Sequence, residues 1–306
     1  MRGMTQRSGA RELGLIVAAL AGTAHFLPTR EAAAIALVAA AATIAGMVWL
    51  IGNWQPWREP LFPLALPVVA TVSIAGIARL SGPVIPLVVI LPAGWLLLAW
   101  VVDLELFGFF APAPSERTPD LEPRRVRRVS TRRRPESELP QIVVEEVVEE
   151  PETPPHPRAL AIRSAALGLA FLGFVAVGGF VAGALGEAGQ RLSDRRLLEA
   201  VTLDAAVAGA IGFRLSALVA PAARDRMVRI LAFIEYAAPV GLGAFALRTM
   251  ELPRLFAPAL LTLVVYVITI VRESSEPVLM NRRLLQELGV LVLVGAIAIF
   301  WGLAIK

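Results

Sequence analysis

The 306-residue chain has no cysteine, one lysine, two histidines and two tyrosines. Without cysteine there is no disulfide, no thiolate nucleophile and no cysteine-ligated metal or cluster. The only lysine is Lys306, so no Schiff-base lysine can lie at membrane depth. Of the histidines, His25 falls near the outer end of the first apolar run and His156 in a hydrophilic central segment. A bis-histidine haem or a histidine-rich metal site would need more imidazoles within the membrane. No HExxH pair, Walker A sequence or aspartate cluster suited to a magnesium diphosphate occurs. A serine hydrolase would need a base beside its serine, and His25 is the one histidine in a span. Asp103-Leu104-Glu105 is a DxE pattern, and at the inner edge of the fourth run it reads as a solvated helix end. These absences lead us to expect no catalytic centre, no cofactor and no metal.

Apolar sequence fills the space that remains. Hydrophobic residues make up 57% of the chain, above the roughly 45–50% of an ordinary soluble domain, and the mean hydropathy is +0.68. Runs long enough to cross ~30 Å of hydrocarbon recur at about 12–27, 31–52, 61–80, 84–102, 159–186, 199–221, 227–248, 255–271 and 284–304. Most connections are short, which makes neighbouring spans antiparallel. The expected fold is an all-α polytopic transmembrane bundle of about nine spans. It divides into a four-span membrane region (1–110), a charged linker (111–158) and a five-span membrane region (159–306).

Arginine outnumbers lysine 28 to one and the chain is rich in Ala, Gly and Pro, which suggests GC-rich bacterial coding and hence a bacterial cytoplasmic (inner) membrane. The net charge of +4 is small and points to no nucleic acid partner. With the N-terminus inside, twenty basic residues fall on the cytoplasmic side and eight on the other, with Arg214 left over inside a span. The positive-inside rule then places the C-terminus outside. The first span, preceded by Arg2, Arg7 and Arg11, also has the outline of a signal peptide, although its apolar run leads directly into a second span.

The linker offers too little apolar surface to fold alone and is expected to be a disordered cytoplasmic loop. Residues 111–134 carry eight Arg against three acids, and 135–158 one Arg against seven acids. The basic half, with Arg124, Arg125, Arg127, Arg128, Arg132, Arg133 and Arg134, is suited to anionic lipid at ~1 kcal/mol per near-surface arginine. Pairing with the acidic half, or a solvated tether, are the alternatives. Arg127-Arg128-Val129-Ser130 resembles a basophilic kinase site, where phosphate would weaken that attraction.

Small residues mark helix contacts, because close backbone approach replaces the missing hydrophobic drive between helices in lipid. The fifth run (159–186) is the richest, with Gly179 and Gly183 at GxxxG spacing, and is the candidate face for protein partners or a homo-oligomer. Pro92 and Pro239 fall inside runs, and Pro239 frees the carbonyl of Glu235.

The candidate site lies at 212–239. Arg214 and Glu235 are equidistant from the basic turn joining their runs, and so share a depth on consecutive antiparallel helices. Isolated charges there would cost ~2.5–3.5 kcal/mol each. An intramembrane ion pair is the economical expectation, with Arg214, Glu235 and a helix break at Pro239 as a transport site in outline. Asp204 and Arg248, near the outer ends of the same runs, form a candidate second and weaker pair. The function expected is a structural or interaction component of a membrane assembly. A small-solute or proton-coupled transporter is the alternative, and a lipid-modifying enzyme the third reading.

Overall fold

A computed structural model describes residues 2–52, 62–80, 85–109, 157–185, 192–219, 226–250, 252 and 255–273, with residues 286, 289, 290, 293 and 297. Eight α-helices follow one another: α1 (Arg2–Gly22), α2 (Thr29–Ile51), α3 (Phe62–Leu80), α4 (Ile85–Phe109), α5 (Pro157–Phe180), α6 (Asp194–Val219), α7 (Arg226–Thr249) and α8 (Phe256–Glu273). A 3-10 turn, Thr23–Phe26, links α1 to α2. Among the described residues there is no strand.

Six helices, α2 to α7, are long and apolar enough to cross a membrane. The chain is an integral membrane protein. The expectation was nine spans. The apolar part of α1 begins only at Leu13 and the helix ends at Gly22, and the apolar stretch of α8 is shorter than those six. The ninth run, 284–304, lies largely outside the described residues, as do the basic and acidic blocks of the linker and His156.

Local chemistry sets several boundaries. Pro28 stands before the first turn of α2, where its missing donor costs nothing, and its carbonyl accepts from the amide of Ala32 at 2.8 Å. Gly52 ends the same helix at φ 76°, a conformation that glycine adopts without a Cβ clash, and donates to Val48 and Trp49 carbonyls. Prolines 67, 92 and 239 all lie inside continuous helices. The expected break at Pro239 does not occur. α7 runs unbroken through it, since neighbouring helices hold a helix together across one lost hydrogen bond.

At the centre of the bundle is α3, packed against α1, α2, α4, α5 and α6. Its apolar window is 67% buried, against 33–50% for the other five. Contacts from α3 to α5 and α6 join the two membrane regions in one core. That core mixes large side chains with many small ones, with Ala24, Ala32, Ala39, Ala70, Ala75 and Ala78 buried, while Leu37, Val88, Val89 and Leu242 face outward. Lipid is as apolar as leucine, so large side chains gain little by turning inward and small ones gain close packing.

The closest approach is between α3 and α5. A Cβ on Gly76 would overlap the Ala176 carbonyl, and one on Gly179 would overlap the Gly76 carbonyl. Gly183, expected as the second half of a GxxxG motif, instead lies beyond the end of α5 at φ 85°. It turns the chain and does not pack a helix. The α6–α7 hairpin uses the same device, with Gly209 against the ring of Phe233 and Gly212 against that of Tyr236.

Candidate intramembrane charge pairs

Four charged residues are buried among the described residues: Glu105, Asp204, Arg214 and Arg248. They form two pairs. Arg214 on α6 donates from Nε to Glu105 Oε1 at 2.7 Å and from Nη2 to Oε2 at 2.8 Å. The guanidinium is 7% exposed and the carboxylate 1%. Arg248 on α7 donates from Nε to Asp204 Oδ2 at 2.6 Å and from Nη2 to Oδ1 at 2.9 Å, with both side chains fully buried. The Nη1 of Arg248 also donates to the carbonyl of Ala184, just beyond α5. Both pairs use the fork-on-fork geometry in which a planar guanidinium satisfies both carboxylate oxygens.

Arg214 is not brought to Glu235. Gly212 against Tyr236 and Asp204 against Arg248 fix the hairpin register and put Arg214 and Glu235 at nearly one level. Level is not azimuth, however. Gly209 and Gly212 form the α6 face toward α7, and Arg214, two residues past Gly212, lies about 200° around the helix. It points toward α4. On α7, Tyr236 occupies the inner face, with its hydroxyl 3.1 Å from that of Thr269 on α8, so Glu235 is turned about 100° away. Glu235 is 52% exposed and lies 3.0 Å from Nη1 of Arg272, in the last turn of α8.

The structure also corrects the reading of Glu105 as a solvated helix end. The apolar window of α4 extends through Leu106, so Asp103 and Glu105 fall within it. An acid inside an apolar run, with Leu106 and Phe107 following, was the available signal that it needed a partner.

Two further polar groups stitch the opposite end of the bundle. Arg79 is in the last turn of α3. It donates to the carbonyls of Gly179 at 2.7 Å and Leu27 at 2.5 Å and to the hydroxyl of Thr29 at 3.0 Å. His25 Nδ1 lies 2.8 Å from the Ala78 carbonyl, and as that carbonyl can only accept, the nitrogen carries the proton. Among the described residues, no group of three or more His, Asp or Glu could hold a metal ion.

Comparison with protein-family models, with curated proteins and with solved structures finds no match. The reading of this site therefore rests on its own geometry. A cavity of about 400 Å³ lies elsewhere, between α1 and α4. None of the four buried charged residues lines it.

Proposed function

We propose that the protein is a structural or interaction component of a bacterial inner-membrane assembly, without a catalytic centre of its own. One observation carries this reading: the buried charges Glu105, Asp204, Arg214 and Arg248 saturate one another in bidentate pairs. Each pair joins different helices. Groups committed in this way brace a bundle, and a substrate would have to displace them at the cost of leaving a buried charge alone. In the proposed orientation the N-terminus is cytoplasmic and the C-terminus outside, so that segment 111–158 faces the cytoplasm with its basic half near anionic lipid.

The test is purification in mild detergent of the full chain beside a form lacking residues 111–158. The full chain should bring down a reproducible, stoichiometric partner that the shortened form loses. Identical partner-free particles from both would sink the proposal.

A second reading, a small-solute or proton-coupled transporter, draws on Glu235. Its half-exposed carboxylate precedes Pro239 by four residues, inside the apolar stretch between Arg229 and Arg248 of α7, and meets Arg272. In proteoliposomes driven by a pH gradient, Glu235→Gln would then abolish uptake, and equal fluxes for the two proteins would remove this reading.

A further inference from the structure

The cavity between α1 and α4 differs chemically from the interior. Ala10 and Ala99 leave the space, Trp95 and Trp100 flank it, and Arg11 and Asp103 bring one charge of each sign. Gly14 lies against Ala99 and Trp95, and Gly22 against Leu91, so the two helices run antiparallel. Arg11 precedes Gly14 by three residues and Asp103 follows Ala99 by four, which puts both about one turn from the same crossing, at the same end. The apolar run of α1 starts just beyond, at Leu13. On α4, Asp103 is three residues from the end of the apolar window at Leu106, so the cavity lies at the edge of the apolar runs, the level at which indoles concentrate.

Arg11 and Asp103 line this cavity together, yet among the described residues neither side chain makes an ion pair or a hydrogen bond. By contrast, the buried charges Glu105, Asp204, Arg214 and Arg248 are all paired. The indole of Trp95 donates from Nε1 to the Arg11 carbonyl at 2.9 Å, which holds one wall against the helix carrying the cation.

We propose that this groove binds the headgroup of a zwitterionic aminophospholipid, with Arg11 on the phosphate and Asp103 on the primary ammonium. Charge complementarity selects this occupant. A site with one cation and one anion is neutral and matches a neutral zwitterion, whereas an anionic headgroup would leave Asp103 facing excess negative charge. A primary ammonium has three N–H donors for a carboxylate; a quaternary one has none. The two indoles offer apolar flanks to the glycerol and the first methylenes, and the volume is of the size that holds a compact ligand group.

The experiment is native mass spectrometry of the delipidated full-length protein, titrated with phosphatidylethanolamine, phosphatidylglycerol and phosphatidylcholine of identical acyl chains. The wild-type protein should retain phosphatidylethanolamine over the other two by about fivefold, the effect of one near-surface charge contact. Asp103→Asn should reverse the order of phosphatidylethanolamine and phosphatidylglycerol, and Arg11→Gln should lower retention of all three and leave phosphatidylglycerol the weakest, since Asp103 remains. Circular dichroism melts of each variant establish that the bundle is intact. Equal retention of the three lipids by the wild-type protein overturns the proposal without any variant, as does an unchanged order in Asp103→Asn. Retention of a peptide in place of lipid overturns it too.

Discussion

Arg214 and Glu105, 109 residues apart in sequence, form a buried bidentate pair between α6 and α4. The backbones of these two helices make little other contact. One salt bridge thus ties the N-terminal membrane region to the C-terminal one. Its stability contribution depends on both members, because removing one strands the other in a low-dielectric interior.

A mutant cycle tests that relationship. Arg214→Met or Glu105→Gln alone should cost about 3–5 kcal/mol, with the double variant well short of the sum. Stability in a mixed-micelle unfolding titration is the readout. The parallel cycle of Arg214→Gln with Glu235→Gln should be additive to within about 0.5 kcal/mol, since those side chains occupy different faces.

Asp204 and Arg248 should be the least replaceable pair. Arg248 meets three acceptors on two other parts of the chain, both oxygens of Asp204 and the Ala184 carbonyl. Lysine keeps the charge and loses the planar fork. Arg248→Lys should therefore lower the melting temperature nearly as far as Arg248→Met, and a melt close to wild type would show that charge alone suffices.

Glycine substitutions should separate contact from propensity. Gly76→Ala and Gly179→Ala force α3 and α5 apart, because each new methyl meets backbone on the facing helix. Each should cost about 1–3 kcal/mol. Gly168→Ala, on the same α5 but with open space around it, should be neutral or stabilising by about 0.5–1 kcal/mol. If all three shifted a thermal melt alike, helix propensity and not the crossing would be responsible.

The absence of cysteine makes topology directly measurable. With single cysteines introduced, Ser130→Cys should react with an impermeant maleimide only in inverted vesicles and Ser81→Cys only in right-side-out ones. The reverse pattern would invert the orientation drawn from the arginine count.

How much of this was legible in sequence differs from residue to residue. The apolar runs of α2 to α7 follow from the thickness of the bilayer and the helical rise, and hold whatever the helices pack against. The shared depth of Arg214 and Glu235 follows as well, since distance from a turn sets level on a hairpin. The partner does not. Opposite faces of α6 differ by only two residues in sequence, and Arg214 is turned toward α4 by the glycines at 209 and 212 that seat Phe233 and Tyr236 on the other side. The stripe was visible in the sequence as a packing face, and its consequence for Arg214 could have been drawn.

Glu105, Arg79 and the Gly76–Gly179 crossing were beyond such arithmetic. Each depends on contacts between helices far apart in the chain, and no periodicity within a single run encodes which distant helix becomes the neighbour. Composition by itself determined that the chain is helical, lies in a membrane and lacks cysteine chemistry, because the solvent imposes those conditions on every segment separately. Which charge meets which was decided only in the tertiary structure, where close glycine and alanine packing sets the azimuth of each helix.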